Sequence, residues 1–121
     1  MKSCLLVDDS KAIRSVVRQM LASFEFDVTE ATNGAEALAA CGHSFPEVVI
    51  LDWNMPVLNG IEFLRALRSK PGGDAPIVIF CTTENGVAHI AEGLAAGANE
   101  YIMKPFDRDI LRDKLTQVGA L

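Results

Sequence analysis

Short apolar, β-branched runs alternate along the chain with stretches in which apolar residues recur every three or four positions. The runs Cys4–Val7, Phe26–Thr29, Val48–Leu51, Ile77–Cys81 and Tyr101–Met103 predict five strands. Several are apolar throughout, as strands covered on both faces are. The first helical stretch is the clearest: Ile13, Val16, Val17, Met20, Leu21 and Phe24 fall on one face of a 3.6-residue period. Ala37, Leu38 and Cys41 mark a weaker second helix with Asn33 as its N-cap. Ile61, Leu64 and Leu67 mark a third, and Val87, Ile90, Ala91 and Leu94 a fourth. Leu111, Leu115 and Val118 mark a fifth, capped by Asp107. The Gly- and Pro-rich segment Lys70–Pro76 reads as a loop. Five strands alternating with five helices predict an α/β fold, a parallel sheet with helices on both faces and right-handed crossovers. Ligand sites in such sheets lie beyond the carboxyl ends of the strands.

Composition narrows the function classes. With 121 residues, half of them hydrophobic, the chain is expected to form a single domain, 1–121, with no output domain. The net charge of −5, from 11 basic and 16 acidic side chains, does not carry the basic footprint of nucleic-acid binders. No apolar run approaches the roughly 20 residues that cross a bilayer. The start of the chain lacks a signal-peptide pattern, so a cytoplasmic protein is expected. Cys4, Cys41 and Cys81 are odd in number, widely spaced and without metal-ligand spacing. They read as buried small hydrophobes in a reducing compartment. His43, in a loop, and His89, on a helix, read as solvated surface residues.

The strand ends carry the chemistry. The first predicted strand runs into Asp8-Asp9, the third into Asp52, the fourth into Thr82-Thr83 and the fifth into Lys104-Pro105. The predicted fold brings these ends to one sheet edge. A lone Asp at a strand end is ordinarily a turn residue or helix cap, and Asp8-Asp9 before Ser10 could simply cap the first helix. Thr82 or Lys104 alone would be unremarkable. Together they are not. Clustered carboxylates resist ionising beside one another, and a hard dication such as Mg2+, which prefers oxygen ligands, relieves that repulsion. Asp8, Asp9 and Asp52 could supply the oxygens. One carboxylate could then act as a nucleophile toward phosphorus, giving an acyl phosphate, with Lys104 and Thr82 offsetting charge on the transferred oxygens.

Val7-Asp8-Asp9, Asp52-Trp53-Asn54-Met55-Pro56, Asn59-Gly60, Thr82, Gly97-Ala98 leading to Tyr101, and Lys104-Pro105-Phe106 match, in order and spacing, the receiver domains of two-component response regulators. The resemblance spans essentially the whole chain and is nearest the chemotaxis CheY type. It implies a flavodoxin-like, CheY-like sheet of strand order 2-1-3-4-5. It also implies Asp52 as phosphoacceptor and Asp8, Asp9, Asp52 and the Asn54 backbone carbonyl as magnesium ligands. Thr82 and Lys104 would contact the phosphoryl group, with a cis bond before Pro105. Thr82 and Tyr101 would form the switch, and Ile90, Tyr101, Met103 and Phe106 an output face on the fourth helix, fifth strand and fifth helix. The implied partners are a CheA-like histidine kinase as phosphodonor and a flagellar motor switch protein or other effector, met by a monomer. The protein would not be an enzyme acting on a separate substrate, though it would assist its own phosphorylation and autodephosphorylation. Asn54 and Glu84 match the CheY type at positions that flank the path of hydrolytic water, which implies a short-lived phosphoryl group.

Some positions depart from the pattern. Asn85-Gly86-Val87-Ala88-His89 stands where chemotaxis receivers usually carry lysines, Thr83 replaces a common alanine and could narrow access to the site, and the fourth strand is one residue longer after Pro76. Alternatives within the class are a phosphate sink, a phosphorelay shuttle and a receiver that binds partners without phosphorylation. An aspartyl-phosphate phosphatase would want an acid where Asn54 stands, since an amide cannot do general acid–base work. A flavodoxin-like cofactor binder would want a phosphate cradle where Asp8-Asp9 stands.

Overall fold

A computed structural model describes residues 2–53, 55, 57–83 and 87–121, with Val87 by its backbone only. The elements alternate as the periodicity predicts: β1 (Lys2–Val7), α1 (Lys11–Ser23), β2 (Phe26–Ala31), α2 (Gly34–Cys41), β3 (Val48–Asp52), α3 (Gly60–Arg68), β4 (Ile77–Thr82), α4 (Val87–Ala95), β5 (Glu100–Met103) and α5 (Arg108–Gln117). All four strand pairings are parallel, in the order β2-β1-β3-β4-β5. Each strand runs one or two residues beyond its apolar run at one end. The sheet hydrogen bonds that extend it do not depend on side-chain hydrophobicity.

Helix starts follow local chemistry. Asn33 and Asp107 accept hydrogen bonds from the Glu36 and Ile110 amides, and Asn59 with Glu62 forms a reciprocal capping box on α3. The cap of α1 is Ser10, not the aspartates before it. The carboxylate of Asp8 instead accepts from the Ser10 amide at 2.9 Å.

Two apolar layers sandwich the sheet. On one side Val17 and Leu21 of α1 and Leu111 and Leu115 of α5 pack on Cys4, Leu6, Ile50, Ile79 and Ile102. On the other, Ala37, Cys41, Phe63, Leu64 and Leu67 pack on Leu5, Val7, Val49, Leu51 and Phe80. The stripe on α1 is only partly core: Ile13 and Val16 are 38% and 55% exposed. They line an open apolar groove with Met20, Thr83, Pro105 and Phe106.

Helix α4 departs further from its periodicity. Leu94 is 43% exposed and Ala91 is exposed, while Gly93 is buried. A Cβ at Gly93 would sit 2.4 Å from the Phe80 ring, so the helix is seated through its smallest residue.

Among the described residues, two loop residues other than glycine, Glu25 and Val57, adopt positive φ, and the strain is greater at the β-branched one. Val57 sits at φ 71° and is 79% exposed, a left-handed conformation that costs a β-branched residue about 1–2 kcal/mol. Val57→Gly is expected to raise stability by about 0.5–1 kcal/mol, the strain relief being partly offset by the added freedom of the unfolded chain. Thermal unfolding checks this, and an unchanged or lower Tm contradicts it.

Candidate functional site

The sheet order reverses between β1 and β3, and the carboxyl ends of these neighbouring strands deliver Asp8 and Asp52 side by side. The register of β3 on β4 sets Asp52 opposite Cys81, and that of β4 on β5 sets Thr82 opposite Met103. Lys104 is one residue beyond, its amide donating to the Thr82 carbonyl at 2.9 Å. The Lys104–Pro105 bond is cis.

Lys104 Nζ donates to Asp8 Oδ2 at 2.8 Å and to Asp52 Oδ1 at 3.0 Å. Asp8, Asp52 and Thr82 are 4%, 8% and 1% exposed, so these charges face each other with little water between them. Asp9 is exposed, yet one of its carboxylate oxygens lies within 4.8 Å of those of Asp8 and Asp52. Three carboxylates around one ammonium leave a local charge of −2. Burial, with added repulsion from Asp8 and Asp9, holds the Asp52 carboxyl above its ordinary range although Lys104 pulls it down. Burial alone would lower Lys104, but its bonds to Asp8 and Asp52 outweigh that and hold it above its usual value. The ammonium therefore stays charged at any physiological pH. An all-oxygen donor set of this size and charge fits a hard dication and not a soft metal.

The scaffold beneath Asp52 is tight. Gly60, the first residue of α3, comes so close that a Cβ there would lie 2.5 Å from the Asp52 carbonyl oxygen. Its amide donates to the Trp53 carbonyl at 3.2 Å, and the Trp53 amide donates to the Cys81 carbonyl at 2.9 Å. Burial pushes the Cys81 thiol far up, so this cysteine stays protonated beside the site and offers no competing nucleophile.

The predicted residues Asp8, Asp9, Asp52, Thr82 and Lys104 thus converge. Asn54 and Glu84, expected to hold the metal and tune hydrolysis, lie outside the described residues. The expected output face divides. Tyr101 is half-buried beside Phe80, ring centroids 6.2 Å apart, with Lys114 Nζ 4.6 Å above its ring, and Met103 shares its side of β5. Phe106 packs on the opposite layer, with α1 and α5. Ile90 is half-buried on α4. Thr83 is exposed and lines the groove along α1.

His89 corrects an expectation. It is half-buried rather than solvated, because the seating of α4 turns it inward, four residues before Gly93. Its ring meets Trp53 edge-on at 5.2 Å, and its Nδ1 is buried without a hydrogen-bond partner among the described residues. His43 is exposed after α2, as expected. Sequence reading also missed Arg14, whose guanidinium donates to the Asp8 carbonyl at 2.8 Å. Six residues of separation across a loop and a helix start give no periodic signal for such a contact.

Comparison with known proteins agrees with this geometry. Residues 4–116 match the response regulator receiver domain family. The chain is 38% identical over 116 residues to the chemotaxis protein CheY1 of Helicobacter pylori, with 94% of each covered. It is 38% identical to a chemotaxis CheY homolog of Campylobacter jejuni, covering 94% of this chain and 89% of that one. Its fold superposes on the chemotaxis response regulator CheY4 of Vibrio cholerae with a TM-score of 0.92, at 36% identity and 98% coverage of both. The receiver domain of a sensor histidine kinase from Pseudomonas aeruginosa matches with a TM-score of 0.89, at 28% identity and 98% coverage of both, and that structure has a magnesium ion coordinated in its active-site cleft. With its carboxylates gathered at the β1–β3 switch point and Lys104 bridging two of them, the chain belongs to the response regulator receiver domain family, among relatives of the chemotaxis CheY type.

Proposed function

We propose that this chain is a magnesium-dependent phosphoacceptor that takes a phosphoryl group on Asp52 from a histidine kinase and relays that state to an effector in chemotaxis signalling. The observation that carries the reading is the Lys104 ammonium held between Asp8 and Asp52, with the Asp9 carboxylate alongside. Asp8, Asp9 and Asp52, with the Asn54 carbonyl, would hold Mg2+, which supplies the positive charge that lets an anionic phosphoryl group approach three carboxylates. Asp52 is the nucleophile: its oxygen–phosphorus bond forms as the phosphorus–nitrogen bond to the donor imidazole breaks, and the imidazole leaves with the bonding pair. Lys104 is already within reach of the acceptor carboxylate and offsets charge on the transferred oxygens without a rearrangement of the strand ends. Thr82 and Tyr101 sit on adjacent strands and couple the site to the surface of α4, β5 and α5. A new charge at Asp52 favours whichever arrangement of that surface binds it better. Asn54 and Glu84 set how fast water removes the phosphoryl group.

Trp53, the only tryptophan, follows the phosphoacceptor directly. Addition of Mg2+ is expected to change its emission saturably, and beryllofluoride in the presence of Mg2+ to change it again. Folded protein that answers neither addition overturns the reading.

A further inference from the structure

We propose that Arg14 is a positioning residue for the metal site, holding the peptide that joins Asp8 to Asp9. The inference rests on the reading of these carboxylates as magnesium ligands.

The contacts form a closed ring. The Asp8 amide donates to the Ala31 carbonyl at 3.1 Å. Glu30, next to Ala31 on β2, accepts from Arg14 Nε at 2.9 Å. Arg14 Nη1 returns to the Asp8 carbonyl at 2.8 Å. The second Glu30 oxygen is taken by Arg18 Nη1 at 2.6 Å, so Glu30 is braced from two turns of α1. The Arg14 side chain is only 12% exposed, while Glu30 and Arg18 are 32% and 48% exposed, so water competes least at the part-buried bond from Arg14 to the Asp8 carbonyl.

The Asp8 carbonyl belongs to the same planar unit as the Asp9 amide. Fixing its direction fixes the plane from which both aspartates depart. The Asp8 carboxylate is then aimed by the Ser10 amide and by Lys104, whereas Asp9, exposed and with no such partner among the described residues, takes its starting direction from that plane. Mg2+ demands near-ideal octahedral geometry, and residues that orient metal ligands are worth 10–100-fold in affinity.

The sign of the effect separates positioning from simple charge. A nearby guanidinium repels Mg2+, so if Arg14 acted only through its field, Arg14→Ala would bind the ion more tightly. If it positions the ligands, the same variant binds more weakly. Arg14→Lys keeps the charge but loses the fork that reaches Glu30 and the Asp8 carbonyl together.

Mg2+ binding is measured for the parent and both variants by Trp53 emission and, independently, by the rise of Tm with Mg2+ concentration. Circular dichroism establishes that each variant is folded, and Arg14→Lys decides the matter if Arg14→Ala does not fold. The expected result is about 10-fold weaker binding for Arg14→Ala and at least about 3-fold weaker for Arg14→Lys. A parent that binds Mg2+ with an Arg14→Ala variant of equal or higher affinity, or with an Arg14→Lys variant equal to the parent, overturns the role of Arg14 alone. A parent that binds no Mg2+ overturns the metal site itself and this inference with it.

Discussion

Asp52→Asn should lose every response to beryllofluoride or acetyl phosphate, and in metal-free buffer near neutral pH it should nevertheless unfold at a higher temperature than the parent. One cause lies behind both outcomes. The carboxylate that makes Asp52 a nucleophile is 8% exposed and shares its site with Asp8 and Asp9. Burial and that repulsion raise its folded pKa above the ordinary carboxylate value, against the pull of Lys104. The unfolded chain therefore releases this proton first as pH rises. Stability falls between the unfolded and the folded pKa, and the cost is fully present above both. An amide escapes it. The advantage of Asp52→Asn should vanish in acid below the ordinary carboxylate range and grow toward neutrality. Saturating Mg2+ should narrow the gap, since the ion stabilises the parent. Thermal unfolding as a function of pH, with and without Mg2+, reads all of this, and a variant less stable than the parent at pH 7 without metal would show that Lys104 already outweighs the repulsion.

The second large effect lies away from the site. Arg68→Met is expected to cost roughly 3 kcal/mol and to lower Tm by about 10 °C. The Arg68 guanidinium donates to the carbonyls of Gly73, Pro76 and Gly97 and to the Asn99 side chain, at 2.8 to 3.1 Å. It ties the end of α3 to the loop before β4 and to the turn before β5. Its stem also fills the space beside Gly97, where a Cβ would meet Arg68 Cγ at 2.8 Å. Methionine replaces much of the stem and none of the donors, so several part-buried carbonyls lose their partner at once. Arg68→Lys should recover only a fraction, because one ammonium cannot span four acceptor residues on two segments. A Tm within about 2 °C of the parent for Arg68→Met would assign these bonds little net value.

The legibility of this chain follows the range of the interactions involved. Strand and helix identity could be read because apolar period and capping chemistry are local: Asn33 and Asp107 cap the helices they precede. Asp8, Asp9, Asp52, Thr82 and Lys104 could be placed together because parallel strands with right-handed crossovers leave only one edge for their carboxyl ends. The strand order itself came from family resemblance, since alternation alone does not distinguish one order of five strands from another.

What only the tertiary structure decided depends on how elements meet. Apolar period on α1 cannot tell that Val17 and Leu21 enter the core while Ile13 and Val16 line an open groove; that depends on where α5 and the loop after β5 end. The inward face of α4 runs through Gly93 and His89 and leaves Ala91 and Leu94 exposed, because the bulk it needs is already supplied by Phe80 of β4 and by Trp53 just after β3. Arg14 and Arg68 both act on backbone carbonyls, which every residue possesses and no side-chain pattern marks. The amino-acid sequence by itself thus determined the elements and the chemistry gathered at one edge. The tertiary structure decided which faces are buried and which polar side chains hold the backbone in place, because those contacts join residues whose separation along the chain carries no period.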